Sequence, residues 1–294
     1  MLNKMPASPV LSITAAAEVV PHNRTRRSRS IPRKLIREGR AHFVPIYYLA
    51  LLSDLAREGI TNSGSYRFAD HIYRMQPSGR GPIGRWLDAA FLNLKATRAF
   101  QLRYKRAQAT IRHALESAPV DTSALRVLAV PCGLPRDLTE LAATLAQQSP
   151  ALLDRIEYCG MDIDSELLQQ ADAFTANCGV KHRTFHCGNA LAGSDYPPGK
   201  FDAIVSTGLG EFLNDAELEL FYHHVHAALA LGGTFFTSAT RYEKRSEAFL
   251  RAFELVTQYR TTEDLERILS RLPWTRLTLV QDESGLQTFV TAVK

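Results

Sequence analysis

From Leu125 to the end of the chain, short apolar runs alternate with amphipathic stretches of ten or more residues. Most of the runs are of strand length and rich in Val, Ile, Leu or Phe, which is typical of buried strands. Strands separated by helices of this length favour a mainly parallel sheet that is covered by helices. The predicted strands are Arg126–Val130, Arg155–Gly160, His182–His186, Phe201–Ser206, Gly233–Ser238, Thr275–Gln281 and Thr288–Val293.

The amphipathic stretches and the last turn complete this pattern. The predicted helices are Arg136–Gln148, Ser165–Cys178, Asp215–Leu231, Ser246–Tyr259 and Thr262–Arg271. Only a short segment around Asp282-Glu283-Ser284-Gly285 separates the last two strands, and such a turn predicts a hairpin. The sequence therefore predicts an α/β fold whose mainly parallel seven-stranded sheet closes with an antiparallel C-terminal hairpin.

The first 120 residues differ in both pattern and charge. They hold 20 Lys/Arg and 7 Asp/Glu, a net charge of +13, whereas residues 121–294 hold 15 and 23, a net charge of −8. From Pro32 to Ala118 apolar positions recur three or four residues apart, which predicts about four helices and no sheet. Arg24–Arg40 carries eight basic residues and one acid; such a run favours a disordered arm over a contact with nucleic acid or membrane.

Several classes of protein are disfavoured by composition. The four cysteines form no Cys-x-x-Cys pair, so a disulfide framework or structural zinc site is not expected, and reduced cysteines without an export signal predict a cytoplasmic protein. No apolar run approaches the ~18 residues of a membrane span. His223 and His226 share a helix face, but no carboxylate or cysteine at matching spacing completes a metal site, and we predict none.

Two loops at strand ends carry the strongest functional signal, because open α/β sheets bind ligands outside the carboxyl ends of their strands. Gly133 follows the first strand and lets the backbone approach a ligand closely. Asp162 ends the second strand, where a carboxylate can accept hydrogen bonds from two vicinal hydroxyl groups, as ribose presents them. The spacing of Gly133 and Asp162 therefore suits a cofactor that contains a nucleoside.

Five short segments, in order and at consistent spacing, give residues 121–294 a specific resemblance. They are Val127–Gly133, Gly160–Asp164, Phe185–Ala190, Phe201–Ser206 and Ala230–Phe235. With them, the chain resembles the class I S-adenosylmethionine-dependent methyltransferases, in particular bacterial proteins with a helical N-terminal extension. The resemblance implies a Rossmann-like fold and S-adenosylmethionine as methyl donor or as substrate. The predicted parts are a flexible basic tail (residues 1–31), a helical cap that binds substrate (32–120) and a catalytic domain that binds S-adenosylmethionine (121–294).

The same resemblance implies roles for individual residues. Asp162 would hold the ribose, Ile163 would pack on the adenine, and Asn189 and Ala190 would meet its edge. The remaining cofactor contacts implied are Pro131, Cys132, Gly133, Ser206 and Thr207. The candidate catalytic residues are Tyr48, Tyr73, Ser206 and Glu211. The two tyrosines could close over a sulfonium, although packing between helices is the more common role of such residues.

The first loop departs from the family pattern. Ala129, Pro131 and Pro135 stand where the family has an acidic residue and two glycines, and Asn189 stands where an aspartate is common. The acid normally anchors the amino end of the methionine. Its loss implies either weaker binding, which we favour, or a different use of the cofactor.

The sequence thus predicts an enzyme that methylates a small molecule in bacterial secondary metabolism. The alternative keeps the cofactor but releases methylthioadenosine, by aminocarboxypropyl transfer or by cyclisation to azetidine-2-carboxylate. A third hypothesis is a protein that binds or modifies RNA through its basic arm. The expected partner is a small-molecule substrate, with neither nucleic acid nor membrane, and a homodimer is left open.

Overall fold

The computed structural model describes residues 24–61, 66–119, 124–244, 247 and 257–294. Within them, one seven-stranded sheet forms the centre of the molecule. Its strands are β1 Leu125–Ala129, β2 Ile156–Asp162, β3 His182–Cys187, β4 Phe201–Ser206, β5 Leu229–Thr240, β6 Arg276–Gln281 and β7 Gln287–Val293. The helices are α1 Arg24–Arg37, α2 Val44–Ala50, α3 Asp54–Thr61, α4 Tyr66–Arg74, α5 Gly81–Leu92, α6 Lys95–Ser117, α7 Arg136–Gln148, α8 Pro150–Leu153, α9 Ser165–Thr175, α10 Asp215–Ala228 and α11 Thr262–Leu269.

The strand order is β3-β2-β1-β4-β5-β7-β6. Strands β1 to β5 pair in parallel, and β7 runs antiparallel between β5 and β6. The predicted fold class and the predicted C-terminal hairpin are therefore confirmed. The order reverses between β1 and β4, which places a crevice at the carboxyl ends of these two strands.

The predicted elements match the structure closely in the sheet region. Helix α7 and strand β4 have the predicted bounds, residue for residue. The helix predicted over Asp215–Leu231 ends at Ala228, because the chain becomes extended and enters β5 at Leu229. The helix predicted over Ser246–Tyr259 lies largely outside the described residues. Helices α10 and α11 each begin with a capping box, Asn214 with Glu217 and Thr261 with Asp264.

Apolar cores fill both faces of the sheet. On one face Val127 and Val205 pack with α7, and on the other Leu128 and Ile204 pack with α10 and α11. Helix α6 belongs to the first of these layers, since its fully buried Ile111 shares that core. The boundary predicted at residue 120 therefore separates α6 from the sheet on which it packs.

The N-terminal helices surround a third, smaller apolar cluster. Its buried members are Tyr47, Leu55, Ala56, Ile60, Phe68, Ile72 and Leu92. Helix α1 occupies Arg24–Arg37, where the sequence predicts a disordered arm, because Ile31 and Leu35 pack on this cluster. The predicted tail over residues 1–31 is thus helical from Arg24, and residues 1–23 lie outside the described part. We call α1 to α5 the cap.

A buried carboxylate holds the cap helices together. Asp88 of α5 is fully buried and accepts hydrogen bonds from Ser53 Oγ (2.6 Å), Leu55 N (2.8 Å) and Ser78 N (3.0 Å), and its Oδ2 lies 2.8 Å from His71 Nε2. Burial alone would raise the pKa of Asp88, but these bonds outweigh it and hold the pKa at about 2.

Among the described helices, none has both the length and the apolar character needed to cross a membrane.

Candidate active site

A cavity of about 430 Å³ lies at the carboxyl ends of β1, β2 and β4, beneath the cap. Residues after β1, at and after the end of β2 and at the start of α9 line one side: Pro131, Cys132, Gly133, Leu134, Asp162, Ile163, Asp164 and Leu167. Residues of α4 and α6 line another: Tyr66, Phe68, Ala69, Asp70, Tyr73, Phe100 and Arg103. The segment after β4 and one later residue complete it: Thr207, Gly208, Leu209, Glu211, Phe212 and Thr257. The cavity is therefore built from both the sheet and the helices that precede it.

Gly133 and Asp162 meet at the cavity wall. Gly133 has φ +54°, a conformation that glycine adopts without strain, and its N–H donates to Asp162 Oδ2 at 3.1 Å. The N–H of Asp164 donates to the other oxygen at 3.2 Å. Burial raises the pKa of Asp162, and these backbone bonds oppose the rise. The loop after β1 thus fixes the orientation of the carboxylate that ends β2.

Cys132 also lies on this wall, but its thiol is unsuited to nucleophilic chemistry. The side chain is 8% exposed, and burial, followed by the charge of Asp162, raises its pKa above the usual range. Its Sγ lies against Gly160, where an added Cβ would come within 3.0 Å of the sulfur and 2.7 Å of Phe185. Cys132 is therefore a packing residue that shapes the wall.

A buried ion pair crosses the cavity from α6 to the loop after β4. Arg103 Nη1 donates to Glu211 Oε1 at 2.7 Å, and Thr240 Oγ1 donates to the same oxygen at 2.5 Å. Arg103 is 3% and Glu211 4% exposed. Burial opposes the charge of Arg103, but Glu211 and Tyr73 outweigh it and raise the pKa of the guanidinium. The Arg103 guanidinium therefore keeps its charge although it is buried.

Neighbouring residues set the position of this pair. The Arg103 guanidinium lies 3.9 Å from the centroid of the Phe100 ring. A Cβ on Gly208, which has φ +90°, would lie 2.9 Å from Arg103 Nη2, so this position requires glycine. The buried Arg260 braces the loop that carries Glu211, since its guanidinium donates to the carbonyl oxygens of Gly210 (2.7 Å) and Leu213 (2.5 Å).

Aromatic side chains and one ion pair attach the cap to this site. The ring of Tyr73 stacks on that of Tyr104 with centroids 4.4 Å apart. The Tyr66 hydroxyl donates to Gln170 Oε1 of α9 at 2.6 Å. Arg136, at the start of α7, donates to Asp70 Oδ1 of α4 at 2.6 Å. These contacts hold α4 over the ends of β1 and β2.

The structure brings eight of the sequence-predicted site residues to the cavity. They are Tyr73, Pro131, Cys132, Gly133, Asp162, Ile163, Thr207 and Glu211. Ser206 is buried at the end of β4 instead, and its hydroxyl has no hydrogen-bond partner among the described residues. Tyr48 lies on the outer surface of the cap with 58% of its side chain exposed, which removes it from contact with a ligand in the cavity.

Asn189 and Ala190 are likewise absent from the described residues that line the cavity. The Asn189 side chain serves its own turn, because its Oδ1 accepts from Leu191 N at 2.9 Å. Its backbone N–H donates to Asp195 Oδ2, also at 2.9 Å. The substitution of aspartate by asparagine here therefore fits a side chain that organises the loop.

Arg103 and Phe100 are site residues that the sequence analysis misses. On α6 the buried positions Ala96, Ala99, Arg103 and Ala107 recur three or four residues apart. A charged residue within an apolar stripe is the signal that identifies Arg103, since buried charges are rare unless they are paired.

His226, one of the two histidines considered above as metal ligands, packs against an aromatic side chain. The ring of His226 packs edge-on against Trp274 at 4.7 Å, and burial lowers its pKa. Within the described ranges, no group of three or more His, Cys, Asp or Glu side chains is arranged to hold a metal ion.

Comparison with known proteins gives one family and many structures of the same fold. The model of a family described as "Putative methyltransferase" matches residues 42–237. A structure described as a possible exported protein from Bordetella parapertussis is 20% identical, with a TM-score of 0.76 over 92% of this chain and 95% of that one.

Two further structures are named for methyltransferases. The CMeT domain of the citrinin polyketide synthase is 16% identical, with a TM-score of 0.56 over 88% of this chain and 69% of that one. Magnesium protoporphyrin IX methyltransferase from Synechocystis PCC 6803, with bound SAH, is 13% identical, with a TM-score of 0.50 over 76% and 93%. At these identities the likeness shows the fold. No curated protein matches the chain.

Proposed function

The chain belongs to this methyltransferase family, whose model covers 196 of its 294 residues, and we propose that it uses S-adenosylmethionine to methylate a small molecule of bacterial secondary metabolism. The resemblance drawn from the sequence motifs is thereby confirmed at the level of the family. The observation that carries the proposal is the cavity, which lies at the crevice of the sheet and has Asp162 on its wall. Its volume of about 430 Å³ suits a small ligand.

The nucleoside end of the cofactor fits the side of the cavity formed by the sheet. Asp162 is held by backbone N–H groups at the end of β2, and its carboxylate can accept hydrogen bonds from the ribose hydroxyls. Ile163, the next residue, is 55% exposed and offers an apolar surface for the adenine ring. Both residues line the cavity.

The amino-acid end fits the ion pair that crosses from the helices. Ala129 leaves the first loop without its acidic residue, but Arg103 and Glu211 present opposite charges in the cavity. The methionine end is a zwitterion, so Arg103 can bind its carboxylate and Glu211 its ammonium group. Both hydrogen bonds to the Glu211 side chain reach Oε1, which leaves Oε2 as an acceptor. The pair thus replaces the lost anchor of the first loop.

Methyl transfer asks the chain mainly to position two molecules and exclude water. When bound, S-adenosylmethionine supplies an activated methyl group on a sulfonium. Tyr66 and Tyr73 of α4 and Phe100 of α6 line the helical side of the cavity, where their rings can exclude water and attract a cation. From the predicted catalytic set, the Tyr73 hydroxyl at the cavity can orient the acceptor through a hydrogen bond.

The acceptor is proposed to be a small molecule because α4 of the cap lines one side of the cavity and limits its volume to about 430 Å³. One fold neighbour is named for a porphyrin and another for a polyketide synthase, which accords with this class of acceptor.

Release of methylthioadenosine is the second candidate reaction. Ala129 favours it, because the first loop then has no acid to bind the amino-acid arm of the cofactor. Arg103 and Glu211 would bind the arm instead, and could place it in a different position. In that reaction the bond broken joins the sulfur to the aminocarboxypropyl carbon instead of the methyl carbon.

The product that retains the sulfur decides between the two reactions. Purified protein is incubated with S-adenosylmethionine, with and without a mixture of candidate acceptors, and the sulfur product is identified by mass spectrometry. We expect S-adenosylhomocysteine, formed only when acceptor is present. Methylthioadenosine above the spontaneous background, without acceptor, supports the second reaction instead.

A variant of the acid that ends β2 tests the cofactor site, and a variant of an acid that precedes β2 is its control. Asp162→Ala should weaken binding of S-adenosylmethionine in calorimetry by roughly 1.5–3 kcal/mol, since charge-assisted bonds to ribose are lost. Asp154→Ala removes an exposed carboxylate before the opposite end of the same strand and should leave binding unchanged. Failure of the wild-type protein to bind S-adenosylmethionine would contradict the proposed function.

A further inference from the structure

The cap exposes an apolar surface that the cavity does not use. Nine of the sixteen large hydrophobic side chains that are exposed in the described part of the chain lie between residues 36 and 94. We call six of them, on or beside three helices of the cap, the apolar face: Ile36, Phe43, Ile46, Leu49, Ile83 and Trp86. Exposure is 57% for Ile46, 58% for Ile83 and 69% for Trp86, so these side chains lie largely in water. Exposed apolar side chains gathered on neighbouring elements favour an interaction site.

Helix α2 is apolar, but most of its side chains are not buried. Its sequence is Val-Pro-Ile-Tyr-Tyr-Leu-Ala, without a charged residue, yet Tyr47 is its only buried member. A helix that is apolar all round is normally enclosed. The described residues leave Ile46 and Leu49 uncovered on one side of α2, because positions three apart share a face.

The three helices that carry the apolar face are neighbours. Helix α2 contacts both α1 and α5. Ile83 and Trp86 are again three residues apart, on α5, and Phe43 immediately precedes α2. The exposed side chains therefore come from adjoining elements of the cap.

Six exposed basic residues, which we call the basic rim, lie on or beside two of the helices that carry the apolar face. Arg33, Lys34, Arg37 and Arg40 are exposed on or just after α1, and Arg80 and Arg85 are exposed at the start of α5. Over residues 24–98 the chain holds 15 Lys/Arg and 5 Asp/Glu. Apolar side chains flanked by cations match an anionic lipid surface, in which the former enter the headgroup region and the latter meet lipid phosphates.

We propose that the cap binds the surface of an anionic lipid bilayer through this apolar face and its basic rim. A second copy of the chain fits less well, because a two-fold contact through the same face would bring the two basic rims together. Nucleic acid would satisfy the cations but not the aliphatic side chains, which neither stack on bases nor bind phosphates. The sequence predicts no membrane partner because no apolar run is long enough to span a bilayer, but binding at the surface needs no such run.

Tryptophan fluorescence of the full chain provides a direct test. The chain has two tryptophans, of which Trp86 is on the apolar face and Trp274 packs against Phe235 and His226. Vesicles of phosphatidylcholine alone are compared with vesicles that also contain phosphatidylglycerol. We expect a blue shift only with the anionic vesicles, and loss of this shift in Trp86→Phe but not in Trp274→Phe.

Vesicle flotation measures separately what the apolar side chains and the basic residues contribute to binding. Ile46→Ser combined with Leu49→Ser should reduce partitioning at least about tenfold, because two aliphatic side chains no longer leave water. Leu231→Ser, at a 90% exposed leucine of β5, is the matched control and should have no effect. Arg37→Gln should reduce partitioning about fivefold, and the exposed Arg276→Gln of β6 much less. High salt should weaken binding of the wild-type protein.

Three results would overturn the proposal. One is flotation with neither kind of vesicle, and another is equal loss of binding in Leu231→Ser and in the α2 variant. The third applies to protein that does not bind vesicles. It is either salt-sensitive binding to single-stranded RNA or a dimer, seen in sedimentation, that the α2 variant abolishes. Binding of S-adenosylmethionine is measured on the same samples, so this proposal and the proposed function can fail independently.

Discussion

The sheet and the cap bury their side chains in different ways. Strands β1 and β4 are buried along most of their length, and helices enclose them on both faces. The cap encloses one small apolar cluster, relies on the buried Asp88 to join its helices, and leaves large apolar side chains in water. The sheet is thus held mainly by apolar packing, whereas the cap depends on a few directional bonds. The two regions should respond differently to loss of a single polar group.

The largest effect is expected at Asp88 in the cap. Asp88→Ala removes the acceptor of Ser53 Oγ, Leu55 N and Ser78 N in a buried site, and should lower the free energy of unfolding by about 3–5 kcal/mol. Urea denaturation followed by circular dichroism measures the loss. Asp88→Asn keeps one acceptor oxygen and should lose less. Equal stability of Asp88→Ala and the wild type would contradict this account of the cap.

The low pKa of Asp88 also fixes the pH dependence of the cap. The folded pKa of about 2 lies below the ordinary value of 3.8, so the ionised carboxylate stabilises the folded state above pH 4. This contribution should be lost as the pH falls from about 4 to 2. Denaturation midpoints of the wild type and Asp88→Asn should therefore converge over that interval, and parallel curves would contradict the assignment.

A smaller effect is expected where the cap meets the sheet. Asp70→Asn weakens the bond from Arg136, whose side chain is 17% exposed, and should cost about 1–2 kcal/mol. Asp154→Asn, which breaks the pair with Lys181 on the open surface, should cost less than about 0.5 kcal/mol. Thermal unfolding of both variants compares the two, and equal losses would mean that the Asp70 pair is as solvated as a surface pair.

The smallest effect is a gain in stability, and we expect it at Asp137 of α7, which packs on the sheet. Burial raises the pKa of Asp137, at the start of α7, to about 6, so its ionised form disfavours the folded state at neutral pH. Asp137→Asn should raise the free energy of unfolding by about 1 kcal/mol at pH 8. The gain should shrink as the pH is lowered toward 4, where the folded carboxyl is protonated. A gain that is independent of pH would exclude this cause.

The same contrast explains what the sequence could predict. The sheet follows from apolar runs of strand length, and β4 and α7 have the predicted bounds because their apolar patterns match their burial. Asp162 and Gly133 could be placed because strand ends meet at one edge of a parallel sheet. The bound at Leu231 was wrong, because β5 starts before the two glycines that suggest a helix end.

The cap was harder to predict for physical reasons. Short helices leave few residues for a periodic signal, and the charge of Arg24–Arg37 hides the packing of Ile31 and Leu35. Arg103 contacts Glu211 across 108 positions of sequence, so only the folded chain shows the pair. Asn189 matches the family by position, yet its side chain bonds within its own turn. Long-range polar contacts of this kind carry no local pattern.

We propose that the end of β2 holds the nucleoside of the cofactor, whereas Arg103 of α6 and Glu211 of the loop after β4 hold its amino-acid end. Calorimetry compares the binding of S-adenosylhomocysteine, which has the amino-acid arm, with that of methylthioadenosine, which lacks it. Asp162→Ala should weaken both ligands alike. Arg103→Met and the milder Glu211→Gln should weaken S-adenosylhomocysteine at least about tenfold and leave methylthioadenosine unchanged. Equal losses for the two ligands in Glu211→Gln, or no loss for either, would contradict the claim.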